Sequence, residues 1–238
     1  LRLDNKGIEV TGKARLNQIA ADFHWREIFE KADIRTEYRI KAALAEKDWA
    51  EKLGLKIPEF GRRAVQGPIA ASLNIRINDK GEGQLNAKLG LKDAVLSLSK
   101  FGWTKEAGED ATAEIGAIFT KQRFHKISEF SVAGGGLDVL GSAKFGAGGE
   151  ASEIRIEQFQ LADTDIAAVL IPVKDRWEID VRGRSLDLRG FLADDETPKD
   201  TEPERGPALS ISMSLGRALL EDGQSLANVT GAGLFDGL

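Results

Sequence analysis

Apolar and polar side chains alternate along much of this chain, and a period of two suits only one kind of backbone. In an extended strand successive side chains point to opposite faces, so alternation makes one face apolar and the other polar. Leu73, Ile75 and Ile77 alternate with Asn74, Arg76 and Asn78, and Leu85, Ala87, Leu89 and Leu91 alternate with Asn86, Lys88 and Gly90. Residues 79–83 between them read DKGEG, which is turn chemistry, so the two runs form a hairpin. The pattern returns at Ala111, Ala113, Ile115, Ala117 and Phe119, at Phe130 and Val132, and at Trp177, Ile179 and Val181. Ile154 and Ile156 change phase to Phe159 and Leu161, which predicts a bulge at Glu157 and Gln158. About a dozen strands fit this template, most of them antiparallel neighbours, and the chain is expected to be mainly β.

Helical signal is confined to one place. Asp48 followed by Trp49, Leu53 and Leu55, closing at Ile57 and Pro58, predicts a short helix over residues 48–57 with an Asp cap. Residues 17–31 fit either a strand or a helical turn. Residues 193–207, ADDETPKDTEPERGP, are charged, Pro-rich and without large apolar groups, and are expected to form a mobile loop. Glycines open several alternating runs, at Gly12, Gly67, Gly83, Gly141 and Gly183, but at irregular intervals, unlike the fixed units of a solenoid or propeller.

Composition removes several kinds of chemistry. The chain has no Cys, so disulfides, Cys-ligated zinc and thiol catalysis are excluded. With 33 basic and 38 acidic residues, a net charge of -5 gives no global basic field for nucleic acid, which is not expected as a partner. His24 and His125 have no acidic partner at motif spacing and read as ordinary strand or surface residues. The Gly134 to Gly136 and Gly146 to Gly149 clusters lack the flanking helix and Lys of a phosphate loop and read as turns. Asp194, Asp195 and Glu196 lack the spacing of a calcium loop. No nucleophile elbow or acid–base pair can be placed. No enzyme activity, metal or cofactor is expected.

Three ordered pieces carry a family resemblance. Residues 54–75, GLKIPEFGRRAVQGPIAASLNI, look like a short helix followed by a Gly-Pro lead into a strand. Residues 91–108, LKDAVLSLSKFGWTKEAG, place Asp93, Ala94 and Leu96 ahead of Gly102, Trp103, Lys105 and Gly108, with Lys100 and Glu106 where prolines are often found. Residues 181–188, VRGRSLDL, supply a Gly-x-x-Leu-Asp strand. Over roughly residues 50–190 the order resembles the AsmA-like proteins of the Gram-negative envelope, of the YhdP type. The resemblance implies a long, twisted, antiparallel sheet bent into an open, taco-like groove, with one or two short helices. It also implies a non-enzymatic function: part of a periplasmic hydrophobic conduit that carries phospholipid between the inner and outer membranes.

On that expectation the groove is lined by Leu73, Ile75, Ile77, Leu85, Ala87, Leu89, Leu91, Ile115, Ile154, Ile156, Ile179 and Val181. Phospholipids are the expected partners; other envelope partners stay open. A dozen strands at about 4.8 Å spacing make a groove only about 60 Å long. The 238 residues, with Met213 their only Met, are therefore read as one segment of a repeating groove domain, excerpted from a longer chain. No apolar run is long enough to span a bilayer, so attachment to the inner membrane is expected through an anchor outside these residues. The alternative is an envelope scaffold that buries the same side chains in a closed β-sandwich and moves no lipid. The two differ in whether those side chains stay accessible.

Overall fold

The computed structural model describes residues 1–16, 18–45, 64–121, 123–192 and 208–235. The expected helix at 48–57 and the charged loop at 193–207, with Asp194, Asp195 and Glu196, lie outside the described residues. The strands are β1 (Arg2–Asp4), β2 (Gly7–Leu16), β3 (Ile19–Ile28), β4 (Thr36–Leu44), β5 (Val65–Gln66), β6 (Ile69–Ile77), β7 (Glu82–Gly90), β8 (Val95–Leu98), β9 (Trp103–Lys105), β10 (Ala111–Thr120), β11 (Arg123–Gly134), β12 (Leu137–Phe145), β13 (Ala151–Leu161), β14 (Thr164–Val173), β15 (Arg176–Asp187), β16 (Ala208–Leu219) and β17 (Ser225–Phe235). A one-turn helix, α1 (Arg189–Leu192), follows β15.

The chain is mainly β, and fourteen of the strands form one open sheet, not closed into a barrel, in the order β1, β2, β3, β4, β6, β7, β10, β11, β12, β13, β14, β15, β16, β17. Strands β5, β8 and β9 form a separate three-stranded sheet. The chain divides into two compact units, one of residues 1–97 and 104–135, the other of 98–103 and 136–238.

Local chemistry explains the first unit. The DKGEG turn joins β6 to β7, with Gly81 at a φ of 76° that favours glycine. Within that turn Asn78 Oδ1 accepts the backbone N–H groups of Lys80 and Glu82, holding the reversal. The ambiguous 17–31 stretch resolves as β3 over Ile19–Ile28, because Phe23 and Trp25 then lie opposite Ile40 and Tyr38 of β4. Pairing with a neighbouring apolar strand outweighs the local helical spacing of Trp25, Ile28 and Phe29.

In the second unit the expected bulge is present: the registers of β12 with β13 and of β13 with β14 both slip at Glu157 and Gln158. The slip returns Phe159 and Leu161 to the face that carries Ile154 and Ile156. A second slip, in the register of β14 with β15, brings Leu186 to the face of Gly183. Strands β15 and β16 pair in parallel, an exception within a sheet whose neighbours were expected to be mostly antiparallel. A parallel pair needs a crossover of a dozen or more residues, and α1 opens that crossover. Asp187 accepts the Arg189 backbone N–H and binds its guanidinium, which starts the turn.

The alternation that runs from Leu85 to Leu91 does not carry on into the large sheet: a turn at Lys92 and Asp93 diverts the chain, and β8 pairs with β5. Leu91 accordingly lies just past β7, its backbone N–H donated to Ala111 O and its side chain buried.

Candidate functional site

In the first unit strand pairing turns alternation into rows that cross the sheet. One row runs Val10, Trp25, Tyr38, Ile75, Leu85, Ala117, Ile127; its neighbour runs Gly12, Phe23, Ile40, Leu73, Ala87, Ile115, Phe130. A third is made of small residues, Ala14, Ala21, Ala42 and Ala71, continued by Leu89, Ala113 and Val132. Short alanine side chains beside Phe23, Ile40 and Leu73 leave a shallow lane across the strands. Ile77 belongs to a fourth row with Gly83, Phe119 and Phe124. A Cβ on Gly83 would collide with the Phe119 ring, so the glycine makes room for the aromatic.

Most of these large side chains are half-buried. Phe23, Trp25, Tyr38, Ile40, Leu73, Ile75, Ile77, Leu85, Leu89 and Ile115 all keep part of their surface open, while Ala87 and Leu91 are buried. Trp25 stacks on Tyr38 with ring centroids 6.5 Å apart, so neighbours along a row cover one another sideways.

The second unit repeats the arrangement. Ala143, Ile154, Leu170, Ile179, Ile211 and Gly233 form one row, and Gly141, Ile156, Ala168, Val181, Met213 and Gly231 the next. Ile154, Ile156, Ile179 and Val181 are half-buried. Toward one end of the same face Leu186, Leu215 and Ala218 are fully packed, with Phe101, Ile166 and Leu188 against them. Phe101 anchors this end between Phe159, 4.9 Å away, and Phe191 of α1, edge-on at 5.2 Å. The twelve residues singled out from sequence thus fall into two sets. Eight lie in the first unit, Leu91 among them just beyond its strand, and four lie on one face of the second.

Within the first unit, residues 91–97 and 104–108 form a buried corner. Ala94, Leu96 and Lys105 are buried there, and Lys105 is 0% exposed. Its Nζ donates to Ala94 O at 2.7 Å, Glu106 O at 2.8 Å and Lys92 O at 3.3 Å, so three donors meet three carbonyls. The Lys of the family-like motif is thereby a clamp on its own loop. Gly108, at a φ of 99°, completes the loop by donating its N–H to Lys92 O.

The opposite face is polar. Glu37 binds Arg39 Nη2 at 2.9 Å and Arg76 Nε at 3.3 Å, and Lys88 binds Glu114 at 2.8 Å. Burial pushes the Glu37 carboxyl up, but the hydrogen bonds and charges of Arg39 and Arg76 outweigh it and hold the group below its ordinary value. In the second unit Glu153 sits between Lys144 and Arg155. A shallow depression on the polar face of the first unit has Ala20, Ala43 and Ala70 among its lining and Lys13, Lys41 and Lys88 around it.

His24 has the acidic partner that motif spacing did not reveal, Glu9 Oε1 at 2.8 Å from Nε2. Glu9 comes from β2, diagonal to His24 across the β2 and β3 ladder, where Thr11 is its direct partner. The hydrogen bond from His24 lowers the Glu9 carboxyl. Gly134, Gly135 and Gly136 all take positive φ, as turn residues do. No helix among the described residues is long and apolar enough to cross a membrane. Comparison of the chain with protein-family models, with curated proteins and with solved structures finds no match.

Proposed function

We propose that this chain is a non-enzymatic lipid-binding segment, one stretch of a hydrophobic conduit for phospholipid in the bacterial envelope, as its resemblance to the AsmA-like proteins of the YhdP type implies. The observation that carries the reading is the half-open state of the large apolar side chains in the middle rows. A sheet with one apolar face and one ion-paired face offers acyl chains a surface without directional bonds. Burying a methylene is worth about 0.8 kcal/mol wherever it lands, so such a lining holds a tail without fixing its position. Headgroups stay at the polar rim, and nothing in the passage of an intact lipid requires an acid, a base or a metal. In this reading the segment works in the periplasm, and Leu73, Ile75, Ile77, Leu85, Leu89, Ile115, Ile154, Ile156, Ile179 and Val181 touch the tails, with Ala87 buried between Leu73 and Ile115 in its row and Leu91 closed off at the loop end.

Site-specific photocrosslinking with phospholipid vesicles tests this. A photoreactive residue at Ile75, Leu89 or Ile179 should capture lipid, and one at Asn86 or Arg182 on the polar face should not. Leu89→Asp and Ile179→Asp should abolish capture at neighbouring positions while the chain stays folded. Equal labelling of both faces, or capture undiminished by the two aspartates, would sink the conduit and leave the scaffold reading.

A further inference from the structure

We propose that the tip of the β10–β11 hairpin docks the first unit on a bilayer surface rich in anionic phospholipid. Lys121, Arg123, His125 and Lys126 are exposed around the tip, and residues 115–128 contain no carboxylate. Elsewhere in the first unit basic side chains meet acids: Lys13 meets Asp22, Arg35 meets Glu27, Arg39 and Arg76 meet Glu37, Lys88 meets Glu114 and Lys92 meets Asp110. Register denies the tip such partners, because Arg123 faces Thr120 and Lys126 faces Ile118. Among the described residues no ion pair reaches Lys121, Arg123 or Lys126. The adjoining β6–β7 turn, tied to the tip by the Lys121 N–H donated to Gly81 O, adds Lys80 against Asp79 and Glu82, and the two turns together keep a positive excess. That excess stands out in a chain whose net charge is -5.

Exposed apolar side chains lie along the same edge. The ladders run from Thr36 through Ile77, Gly83 and Phe119 to Phe124, so the β3–β4, β6–β7 and β10–β11 turns share one edge of the first unit. Phe124 is 43% exposed at the tip, where its ring meets Phe119 at 5.8 Å. Phe29 and Ile34 of the β3–β4 turn are 54% and 36% exposed, and three strand spacings, about 14 Å, separate β4 from β10. These turns close internal hairpins, so their exposure owes nothing to either end of the chain. Cations interleaved with exposed aromatic and aliphatic groups suit an anionic bilayer: ammonium and guanidinium groups meet headgroup phosphates while the apolar side chains enter the acyl boundary. A nucleic acid would engage the cations but leave Phe29 and Ile34 without a role. The proposal stands on this edge alone and not on the conduit reading.

Flotation of the 238-residue chain with vesicles tests the proposal. The chain should float with vesicles of phosphatidylglycerol and phosphatidylethanolamine, release as salt rises, and stay behind with vesicles of phosphatidylcholine alone. The triple variant Lys121→Asn, Arg123→Gln, Lys126→Gln should lower the affinity about a hundredfold, from about fivefold per cation. All three positions are exposed, and Asn tolerates the φ of 49° at residue 121, so its thermal transition should not move. Because the chain has no Cys, Phe124→Cys carries a single environment-sensitive fluorophore, which should brighten and shift to the blue on anionic vesicles. The same label at Glu109→Cys, in the turn at the other end of β10, should not respond. Equal binding to phosphatidylcholine, undiminished binding by the triple variant, or a response at residue 109 in place of 124 would overturn the proposal, as would binding to a DNA oligonucleotide with none to vesicles. Docking without lipid captured at Ile75 would instead fail the conduit and leave this edge as a membrane contact.

Discussion

In the first unit the corner formed by residues 91–97 and 104–108 and the middle rows of the sheet are built from the same kinds of residue and finish differently. At the loop Leu91, Ala94, Leu96 and Ala111 are shut from solvent. In the middle, Phe23, Ile40, Leu73 and Ile115 remain half-open. The side-chain chemistry of the two regions does not differ enough to account for this. The diversion of the backbone at Lys92 and Asp93 does, because it takes Val95 and Leu96 away to pair with Gln66 and Val65, and Lys105 holds the corner by its bonds to the carbonyls of Lys92, Ala94 and Glu106. In the first unit the loop corner closes over its side chains while the large side chains Phe23, Ile40, Leu73 and Ile115 of the middle rows stay half-open, and each can be tested apart from the other.

The largest effect should come from the clamp. Lys105→Met removes three hydrogen bonds made by a fully buried ammonium group, although Lys92 O keeps the Gly108 N–H and Glu106 O the Glu109 N–H, and should cost about 3 kcal/mol in urea unfolding. Lys88→Met on the polar face removes an exposed ion pair with Glu114 and should change stability by less than about 0.5 kcal/mol. Equal costs for the two would mean that the loop is not what closes this end.

Next comes the same contrast in the second unit. Leu215→Ala, at a buried position packed among Leu186 and Ala218, should cost about 3 kcal/mol. Ile179→Ala, on the same face but half-open, should cost about 1 kcal/mol, because part of its surface never left water. A cost at Ile179 as large as at Leu215 would indicate a closed core and favour the scaffold.

How much of this was legible beforehand depends on the range of the interaction responsible. The hairpin of β6 and β7 and the bulge at Glu157 and Gln158 are written in neighbouring residues, and alternation alone places them. The face shared by Leu73, Ile75, Leu85 and Leu89 follows from the same local pattern. The direction of β16 does not, since alternation reads the same in parallel and antiparallel strands; the long 188–207 connection was the available signal. The departure of β8 from the sheet turns on pairing with Val65 and Gln66, some thirty residues upstream. The hydrogen bond of His24 to Glu9 likewise depends on cross-strand register, which spacing along the chain cannot display.

Filling small positions sharpens the comparison further. Ala94 has no exposed surface, so Ala94→Leu should overpack the loop and cost about 2 kcal/mol. Ala71 lies in the alanine lane of the half-open face, and Ala71→Leu should be tolerated within about 0.5 kcal/mol while narrowing the lane. Thermal melting separates the two, and photocrosslinking at Leu89 should fall for Ala71→Leu even though the chain is as stable as before.

The smallest effect concerns the polar face and its dependence on pH. Glu37 is buried, which alone would favour its protonated form, but Arg39 and Arg76 hold its carboxyl below the ordinary 4.5. The unfolded chain therefore takes up this proton at a higher pH than the folded chain does. The stabilisation is fully present above the unfolded value and is lost as pH falls through the folded one. In Glu37→Gln that contribution is absent at every pH, so the urea midpoint should be slightly lower at neutral pH and fall less steeply on acidification. Titrating both proteins from about pH 7 to about pH 3 measures the difference. Parallel curves would show that the two arginines do no more for Glu37 than water does, and that the polar face contributes solubility but no pH-dependent stability at this position.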